Sequence, residues 1–315
     1  MRFVVPVPSI YARPNRKYFG PDRGVTYLNM ITDQAVGLAG KVVSGAPRDS
    51  LHALDVAFSL DAGQRPDILI SDTGAYSDLM FGLCQPLLID YRPELADMPD
   101  QRAWRVDRKA NHGPLNTAAR GRLDLQKIQR HWPDILRVVT SIYTGAVRAY
   151  DVTRVLQREG NPTPLGEGVQ HYGRIFKSLH ILQLIDDESY RRDVHWIRNL
   201  QEGRHALARK VFHGSKGEPY RRYREGMEDQ LGALGLVLNC IVLWNTVYIN
   251  ATLEQLRAAG YPVLDEEVRR LHPLMRRYLA VQGDYSFLLP ALDGRLRELR
   301  DPTEGQDENG DGDED

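Results

Sequence analysis

Hydrophobic residues near the beginning of the chain fall into short runs that turn residues separate. Residues 2–7, 25–31 and 37–43 are apolar and β-prone, which predicts three strands. Because turns and short links join these runs, we expect an antiparallel meander. Residues 49–60 then show helical spacing behind Asp49, a residue type favoured at helix N-caps.

The next apolar run ends in an acid. Ile68, Leu69 and Ile70 predict a short buried strand that continues into a glycine-containing turn. In a sheet with helices on its faces, side chains that do chemistry lie at the carboxyl ends of strands. Asp72 occupies that position and is therefore a candidate catalytic residue. The structural alternative is that Asp72 starts a turn or caps the following helix.

The pattern after this point is mostly helical. Residues 76–83 predict a helix, and residues 86–91 and 104–107 predict edge strands. From residue 123 to about residue 196, leucine, isoleucine, valine and arginine recur at three- and four-residue intervals, with a break at residues 160–164. We interpret this block as a helical insertion.

Two further helices are predicted after the insertion. Residues 203–212 carry an apolar side, and Glu202 and His205 lie on the opposite stripe. Residues 231–244 are apolar almost throughout. Because these fourteen residues are too few to span a bilayer, we expect a buried core helix.

The order of the elements favours one fold class. Three strands, a helix and a strand that ends in an acid are the opening order of the ribonuclease-H-like fold, an analogy that serves as a prior. We predict an α/β protein with a ribonuclease-H-like mixed sheet, a large helical insertion and a helical C-terminal part. The predicted parts are 1–122 for the core, 123–196 for the insertion, 197–300 for helices that complete the core, and 301–315 for a disordered acidic tail.

Composition and charge add information about the compartment and the partner. The 315 residues are 42% hydrophobic and 26% charged, as in a soluble globular protein. Cys84 and Cys240 each lie in an apolar run, which suits a reducing cytoplasm, and the chain starts without a basic-then-apolar leader. The last fifteen residues hold eight acids and no lysine or arginine, so residues 1–300 carry 41 basic and 34 acidic side chains. This basic body is compatible with nucleic-acid binding.

Five strings in the sequence are familiar in combination. They are residues 14–25, beginning Pro-Asn-Arg-Lys-Tyr-Phe-Gly; residues 71–77, Ser-Asp-Thr-Gly-Ala-Tyr-Ser; residues 112–116, His-Gly-Pro-Leu-Asn; residues 202–209, Glu-Gly-Arg-His-Ala-Leu-Ala-Arg; and residues 228–246, beginning Glu-Asp-Gln-Leu-Gly. With them the sequence resembles the carboxy-terminal catalytic region of the Tn3-family transposases, from Met1 to about Pro302.

The resemblance implies a ribonuclease-H-like domain with an Asp, Asp, Glu triad that binds two divalent metal ions. It also implies nicking at transposon ends and joining of the freed 3′ hydroxyl to target DNA. Asp72 corresponds to the family's second acid, and Glu202 corresponds to the third acid, 130 residues later. Mg²⁺ is the expected cofactor and Mn²⁺ a substitute, because hard carboxylate oxygens suit these ions.

The first acid of the triad is expected to be missing from this chain. In the family it lies in an Asp-Gly pair directly ahead of the string that here begins at Met1, and large DNA-binding and dimerisation regions lie further ahead. We therefore expect a truncated chain that binds metal weakly and does not cut or join DNA by itself. Asp33, in a strand connection, is the alternative first acid.

Other residues compete with Glu202 or accompany it. The alternatives for the third acid are Glu225, Glu228 and Asp229. His205 follows Glu202 by one turn and is a candidate to face the metals or the scissile phosphate, or else to satisfy a local hydrogen bond. His195 and His213 have no ligand-like spacing with a second donor, so we assign them no metal role.

Clusters of arginine and lysine provide candidate DNA contacts. Phosphate binding is mostly charge neutralisation that does not depend on base sequence. Arg204, Arg209 and Lys210 follow Glu202 closely and are the predicted DNA-binding residues. Other basic pairs fit solvated helix faces with acidic partners equally well.

The sequence thus predicts the catalytic-domain fragment of a Tn3-family DNA transposase, an enzyme of 3′-end nicking and strand transfer in replicative transposition. The expected partners are double-stranded DNA, at transposon ends and target, and a second copy or the full-length transposase. No membrane is expected, and the expected location is the bacterial cytoplasm, at the nucleoid. The alternatives are a non-catalytic DNA-binding or assembly remnant of a transposase and an independent ribonuclease-H-like nuclease.

Overall fold

A computed structural model describes most of the chain. The described residues are 1–5, 12–44, 52–58, 65–107, 109–158, 161–211, 229–276, 279 and 281. They form a mixed α/β structure in which long helices predominate over small sheets. The chain divides into two compact units, Met1–Asn239 and Cys240–Asp315.

The first unit opens with a four-stranded antiparallel sheet. Its strands are β1 (Arg2–Val5), β2 (Arg13–Pro14), β3 (Arg23–Ile31) and β4 (Gly37–Ser44). All three other strands pair with β3. Phe3, Val5, Val25 and Tyr27 are buried, which explains why the apolar runs of the sequence form this sheet. The three predicted strands and their antiparallel arrangement are confirmed, and β2 is an additional strand that the pattern did not reveal.

Two short helices accompany this sheet, one between its strands and one after it in sequence. α1 (Arg16–Phe19) links β2 to β3, and the Asn15 side chain caps it by accepting a hydrogen bond from the Lys17 amide at 3.1 Å. The predicted helix after β4 is confirmed as α2 (Ala53–Phe58), whereas its proposed N-cap, Asp49, lies outside the described residues.

A parallel strand pair follows. β5 (Ile68–Leu69) pairs with β6 (Asp90–Tyr91), and α3 (Asp78–Cys84) lies between them in sequence. The predicted strand is present, but it is not fully buried, because Ile68 is 44% exposed. A second parallel pair consists of β7 (Trp104–Arg105) and β8 (Gly121–Arg122). The predicted edge strands are therefore confirmed in shortened form.

Helices form the core of the first unit. They are α4 (Leu125–Tyr143), α5 (Ala149–Leu156), α6 (Pro164–Asp186) and α7 (Glu188–Val211), and the strands β9 (Gln157–Arg158) and β10 (Asn161–Pro162) interrupt them. α3 and α6 pack closely, since a Cβ atom at Gly173 would lie 1.9 Å from the carbonyl oxygen of Asp78. Leu79, Ile135 and Val169 share one hydrophobic cluster. α7 is continuous across the predicted boundary at residues 196 and 197.

The last long helix is less buried than its composition predicts. α8 (Gln230–Ala258) buries Leu234 and Leu238, but Leu236 is 68% exposed and Leu243 is 65% exposed. The prediction of a buried core helix is therefore wrong for one of its faces. By length and composition α8 is also the one helix among the described residues that could cross a membrane, which is weak evidence for a membrane role. A short helix, α9 (Asp265–Val268), follows it.

Candidate active site

Asp72 lies in the exposed turn that follows β5. Its backbone carbonyl accepts a hydrogen bond from the Ala75 amide at 3.1 Å, so Asp72 begins a turn. Asp72 does not cap α3, because Ser77 does so through a hydrogen bond from the Met80 amide. The carboxylate of Asp72 is thus at the carboxyl end of a parallel strand and open to solvent, as the sequence pattern predicts.

The neighbouring strand fixes the backbone beside Asp72. The Glu94 amide donates to the Ser71 carbonyl at 2.9 Å, and the hydroxyls of Ser71 and Tyr91 are 2.9 Å apart. Burial raises the pKa of the Tyr91 phenol, and the negative charge of Asp72 acts in the same direction. Tyr91 is therefore a neutral hydroxyl that holds the strand end close to Asp72.

Helix α7 contacts the segment that follows β6 through the side chain of Glu94. Glu94 Oε1 lies 2.7 Å from Arg198 Nη1 and 3.4 Å from His195 Nδ1. Glu94 Oε2 is buried and has no hydrogen-bond partner in the described part of the chain. The preceding residue adds a second connection, since the Pro93 carbonyl lies 2.8 Å from His180 Nε2 on α6. The segment after β6 is therefore held from two helices.

Glu202 is on the face of α7 that makes this tie. It follows Arg198 by four residues, and positions i and i+4 lie above one another on a helix. The Glu202 side chain is 55% exposed, so its carboxylate is available to a ligand. A chain of contacts thus runs from the Ser71 backbone, next to Asp72, through Glu94 to Arg198, one helical turn before Glu202.

His205 lies beside Glu202 but is mostly buried. Its Nδ1 atom is 3.6 Å from Glu202 Oε2, and its side chain is 16% exposed. Burial, together with the positive charges of the Met1 amine, Arg209 and Arg2, lowers the pKa of His205 to about 3. The imidazole is therefore neutral at pH 7, and its contact with Glu202 is not an ion pair at that pH.

Arg204 has a different role from the one predicted. Its guanidinium is fully buried and donates to the Ala35 carbonyl at 3.0 Å, the Gly235 carbonyl at 3.2 Å and Asn239 Oδ1 at 2.7 Å. A buried guanidinium with these partners cannot reach a DNA phosphate. The prediction of Arg204 as a DNA contact is therefore wrong, and Arg204 is a structural residue.

The remaining candidates either lie in the described part of the chain without a side-chain hydrogen bond or ion pair to these residues, or lie outside it. Arg209 and Lys210 are exposed in the last turn of α7, where they are open to a phosphate ligand. Asp33 is exposed in the turn between β3 and β4, and Asp229 is exposed just before α8. Glu225, Glu228 and His213 lie outside the described residues.

The described residues contain no group of three or more His, Cys, Asp or Glu side chains that could hold a metal ion. The predicted donors are the exposed carboxylates of Asp72, which follows β5, and of Glu202, which lies on α7. Oxygen donors of this kind suit Mg²⁺, which binds through one or two carboxylates and completes its coordination with water and substrate phosphates. The chemical type of these donors, carboxylate oxygen, is therefore suitable for Mg²⁺.

Sequence reasoning missed Glu94 and Arg198. Glu94 follows the predicted strand at residues 86–91, so it stands after β6 as Asp72 stands after β5. Because the carboxyl ends of parallel strands meet at one edge of a sheet, this position was a usable signal. Arg198 carried none, since its partner is 104 residues away.

Residues 1–285 match the family model of the Tn3 transposase DDE domain. The chain is 60% identical to the transposase for transposon Tn4556 of Streptomyces fradiae over 98% of this chain and 34% of that protein. It is 43% identical to the transposase for transposon gamma-delta of Escherichia coli (strain K12) over 95% of this chain and 30% of that protein. The chain therefore spans about a third of the length of the curated relatives it matches. No solved structure gives a significant match.

Proposed function

Since the chain belongs to the family of the Tn3 transposase DDE domain, we propose that it is the catalytic region of a DNA transposase, with Asp72 and Glu202 as two of its metal-binding acids. The substrate is double-stranded DNA, and the reaction is nicking at a 3′ end followed by strand transfer. The element order, an antiparallel meander followed by α2 and a parallel strand pair, supports a ribonuclease-H-like fold.

The observation that carries this proposal is the connection between the two acids. The Glu94–Arg198 contact ties α7 to the strand end of Asp72, and Glu202 follows Arg198 by one helical turn. Both acids are exposed, whereas Ser71, Glu94 and Arg198 are only partly exposed. This combination of fixed backbone and accessible carboxylate is what a metal-dependent site requires.

Asp72 and Glu202 would hold divalent cations, Mg²⁺ or Mn²⁺, together with a DNA phosphate. Such ions stabilise the attacking and leaving oxygens of an in-line phosphoryl displacement. Neutral His205 beside Glu202 can donate or accept one hydrogen bond without adding charge. Arg209 and Lys210 neutralise phosphates of the approaching backbone.

The position of the start of β1 suggests where the first acid implied by the resemblance would lie. The positive charges of Met1 and Arg2 act on the pKa of His205, so this end of β1 is near the helix face of Glu202. A residue directly ahead of Met1 in a longer chain would enter the same neighbourhood. An aspartate at that place would complete the set of three carboxylates.

A chimeric transposase tests the proposal. In it, this chain replaces the matching 307 residues of the Tn4556 transposase, to which it is 60% identical, and transposition is measured in cells and as strand transfer in vitro. We expect the chimera to be active. Asp72→Asn and Glu202→Gln should each reduce this activity by at least a thousandfold, which corresponds to an activation barrier raised by about 4 kcal/mol.

Asp33→Asn and Asp229→Asn are the matched controls, because both remove an exposed acid and neither should reduce activity more than twofold. An active chimera that tolerates Asp72→Asn would contradict the assignment of the site. An inactive chimera that still binds transposon ends would support the non-catalytic assembly module instead.

A further inference from the structure

The β1–β2–α1–β3 region presents cations that the proposed site does not use. The first 32 residues contain one acid, Asp22, and five basic residues. These five residues, which we name the N-terminal basic surface, are Arg2, Arg13, Arg16, Lys17 and Arg23. All five are exposed. A surface of one charge sign this close to a proposed DNA site points to an anionic ligand.

Pairing with acids distinguishes this surface from other exposed basic residues. Arg137, Arg148 and Arg192 contact acids three or four residues away, within or at the start of one helix, at 3.1, 2.8 and 2.6 Å. By contrast, Arg13, Arg16, Lys17 and Arg23 form no ion pair with the residues that the structure describes. Described acids therefore do not neutralise these four charges, whereas acids three or four residues away neutralise those of Arg137, Arg148 and Arg192.

Strand pairing makes the surface continuous. Arg23 on β3 pairs with Pro14 on β2, and Arg13 pairs with Gly24. On the other side of β3, Arg23 pairs with Val5 of β1. The Arg2 guanidinium stacks over the Tyr18 ring at 3.8 Å, and Lys17 Nζ lies 5.2 Å from the same ring. The cations of three strands and α1 are thus neighbours in space.

The surface begins beside the proposed site. Arg2 stands at the start of β1, where its charge and that of Met1 reach His205 on α7. Glu202 lies 3.6 Å from that imidazole. Arg204 fixes the same part of α7 to the β3–β4 turn through the Ala35 carbonyl. The sheet and the helix of Glu202 are therefore held together at the β3–β4 turn, at the end of β3 opposite Arg13 and Arg23.

We propose that the N-terminal basic surface binds the sugar–phosphate backbone of duplex DNA that flanks the phosphate held at Asp72 and Glu202. This inference rests on the proposed function for the position of the scissile phosphate. Contacts by arginine and lysine to phosphates do not read base sequence, so the surface binds any duplex. It positions the DNA across the site rather than selecting the transposon end.

The test is duplex binding by the full 315-residue chain, measured by fluorescence anisotropy over a series of salt concentrations. The variant replaces Arg13, Arg16, Lys17 and Arg23 with glutamine. We expect at least a tenfold loss of affinity and a decrease of about 3 to 4 in the slope of log K against log salt, because each phosphate contact contributes about 0.9 to that slope.

Two comparison variants make the result specific. A matched control replaces Arg130, Arg137, Arg148 and Arg154, which are also four exposed basic residues, and should lose less than twofold. A charge-preserving variant, R13K/R16K/K17R/R23K, should retain binding within about threefold, which separates charge from folding. Binding of the glutamine variant equal to that of the parent, or an equal loss in the matched control, would overturn the inference.

Asp72→Asn/Glu202→Gln distinguishes this inference from the proposed function. Adding the four glutamine substitutions to that double variant should lower its duplex affinity in the absence of metal by the same factor as in the parent, because the surface does not need the acids. If the chimeric transposase fails but the glutamine variant still loses affinity, the phosphate surface stands and the catalytic assignment falls. If the chimera is active and the glutamine variant binds normally, the opposite holds.

Discussion

Arg204 and Glu202 differ by two positions in sequence and by their whole environment in the structure. Residues two apart on an α-helix are separated by about 200° around its axis, so an exposed Glu202 places Arg204 on the inner face. There its guanidinium donates to three oxygens of the β3–β4 turn and α8, while Arg204 Nε remains without a partner in the described part of the chain. The residue serves the fold and not the ligand.

Arg204→Ala should lower the free energy of unfolding by about 3 kcal/mol, because it leaves buried carbonyl groups unpaired and opens a cavity. Urea denaturation measures this loss. Arg209→Ala, at an exposed position on the same helix, should change stability by less than about 0.5 kcal/mol. Equal stability of both variants would mean that the buried network contributes nothing.

Asp55 provides a pH-dependent contribution to stability. Although its burial by itself raises the pKa, His52, Lys41 and the Tyr150 amide outweigh that effect and lower the pKa of Asp55 to about 2. Lys41 Nζ lies 3.1 Å from the carboxylate, whose side chain is 7% exposed. The charged form is therefore favoured in the folded state, and the stabilisation is lost as pH falls from about 4 to about 2.

Asp55→Asn should cost about 1 to 2 kcal/mol of unfolding free energy at pH 7. The difference from the parent should be nearly unchanged at pH 5 and reduced to about half at pH 3, because the unfolded state is then mostly protonated while the folded state is still mostly charged. Denaturation curves at the three pH values check this. Asp134→Asn, in an exposed pair with Arg137, is the control and should show no such trend.

At the scale of secondary-structure elements, the strands and helices follow the sequence pattern more closely than their burial does. β1, β3, β4 and α2 appear where the apolar periodicity predicts them, because that periodicity is a property of adjacent residues. α8 departs from its prediction, with Leu236 and Leu243 open to solvent. A continuous apolar run in the sequence does not indicate which face of the helix will be buried.

The connection between α7 and β6 is the element-scale feature on which the proposed site depends. Glu94 is 20% exposed and Arg198 37% exposed, so their 2.7 Å contact is partly protected from solvent. Tyr190 of α7 also packs near this segment, with its ring 4.7 Å from the Arg92 guanidinium. Loss of the ion pair should let the part of α7 that carries Glu202 move relative to Asp72.

Glu94→Gln, Arg198→Gln and the double variant should show a coupling energy of about 1 kcal/mol in unfolding. Each single variant should also weaken Mn²⁺ binding by about tenfold, as loss of residues that orient metal ligands does. Mn²⁺ titration followed by paramagnetic resonance measures the second effect. Glu188→Gln, whose partner Arg192 is exposed, is the control. A coupling energy near zero with normal Mn²⁺ affinity would contradict this role.

At the scale of the whole molecule, charge is distributed unevenly along the chain. The last fifteen residues carry eight acids, and the preceding 300 carry seven more basic than acidic side chains. The net charge of -1 therefore conceals a basic body. An acidic segment attached to the proposed DNA-binding surface would compete with DNA for the same arginine and lysine side chains.

Removal of residues 301–315 should raise the affinity for duplex DNA severalfold at low salt, and the gain should shrink as salt screens the charges. Anisotropy titrations at several salt concentrations measure this change. A full-length variant in which the eight acids become asparagine or glutamine should show the same gain, because charge and not length is responsible. A gain that persists at high salt would speak against an electrostatic cause.

The sequence by itself determined the strand and helix pattern, the family and the nomination of Asp72 and Glu202, because all of these are written in short local strings. Tertiary structure alone decided that Arg204 is buried, that Glu94 after β6 contacts Arg198 on α7, and that one face of α8 stays exposed. The physical reason is distance along the chain. Neighbouring residues fix periodicity and turns, whereas a contact between residues 104 positions apart exists only after the chain has folded.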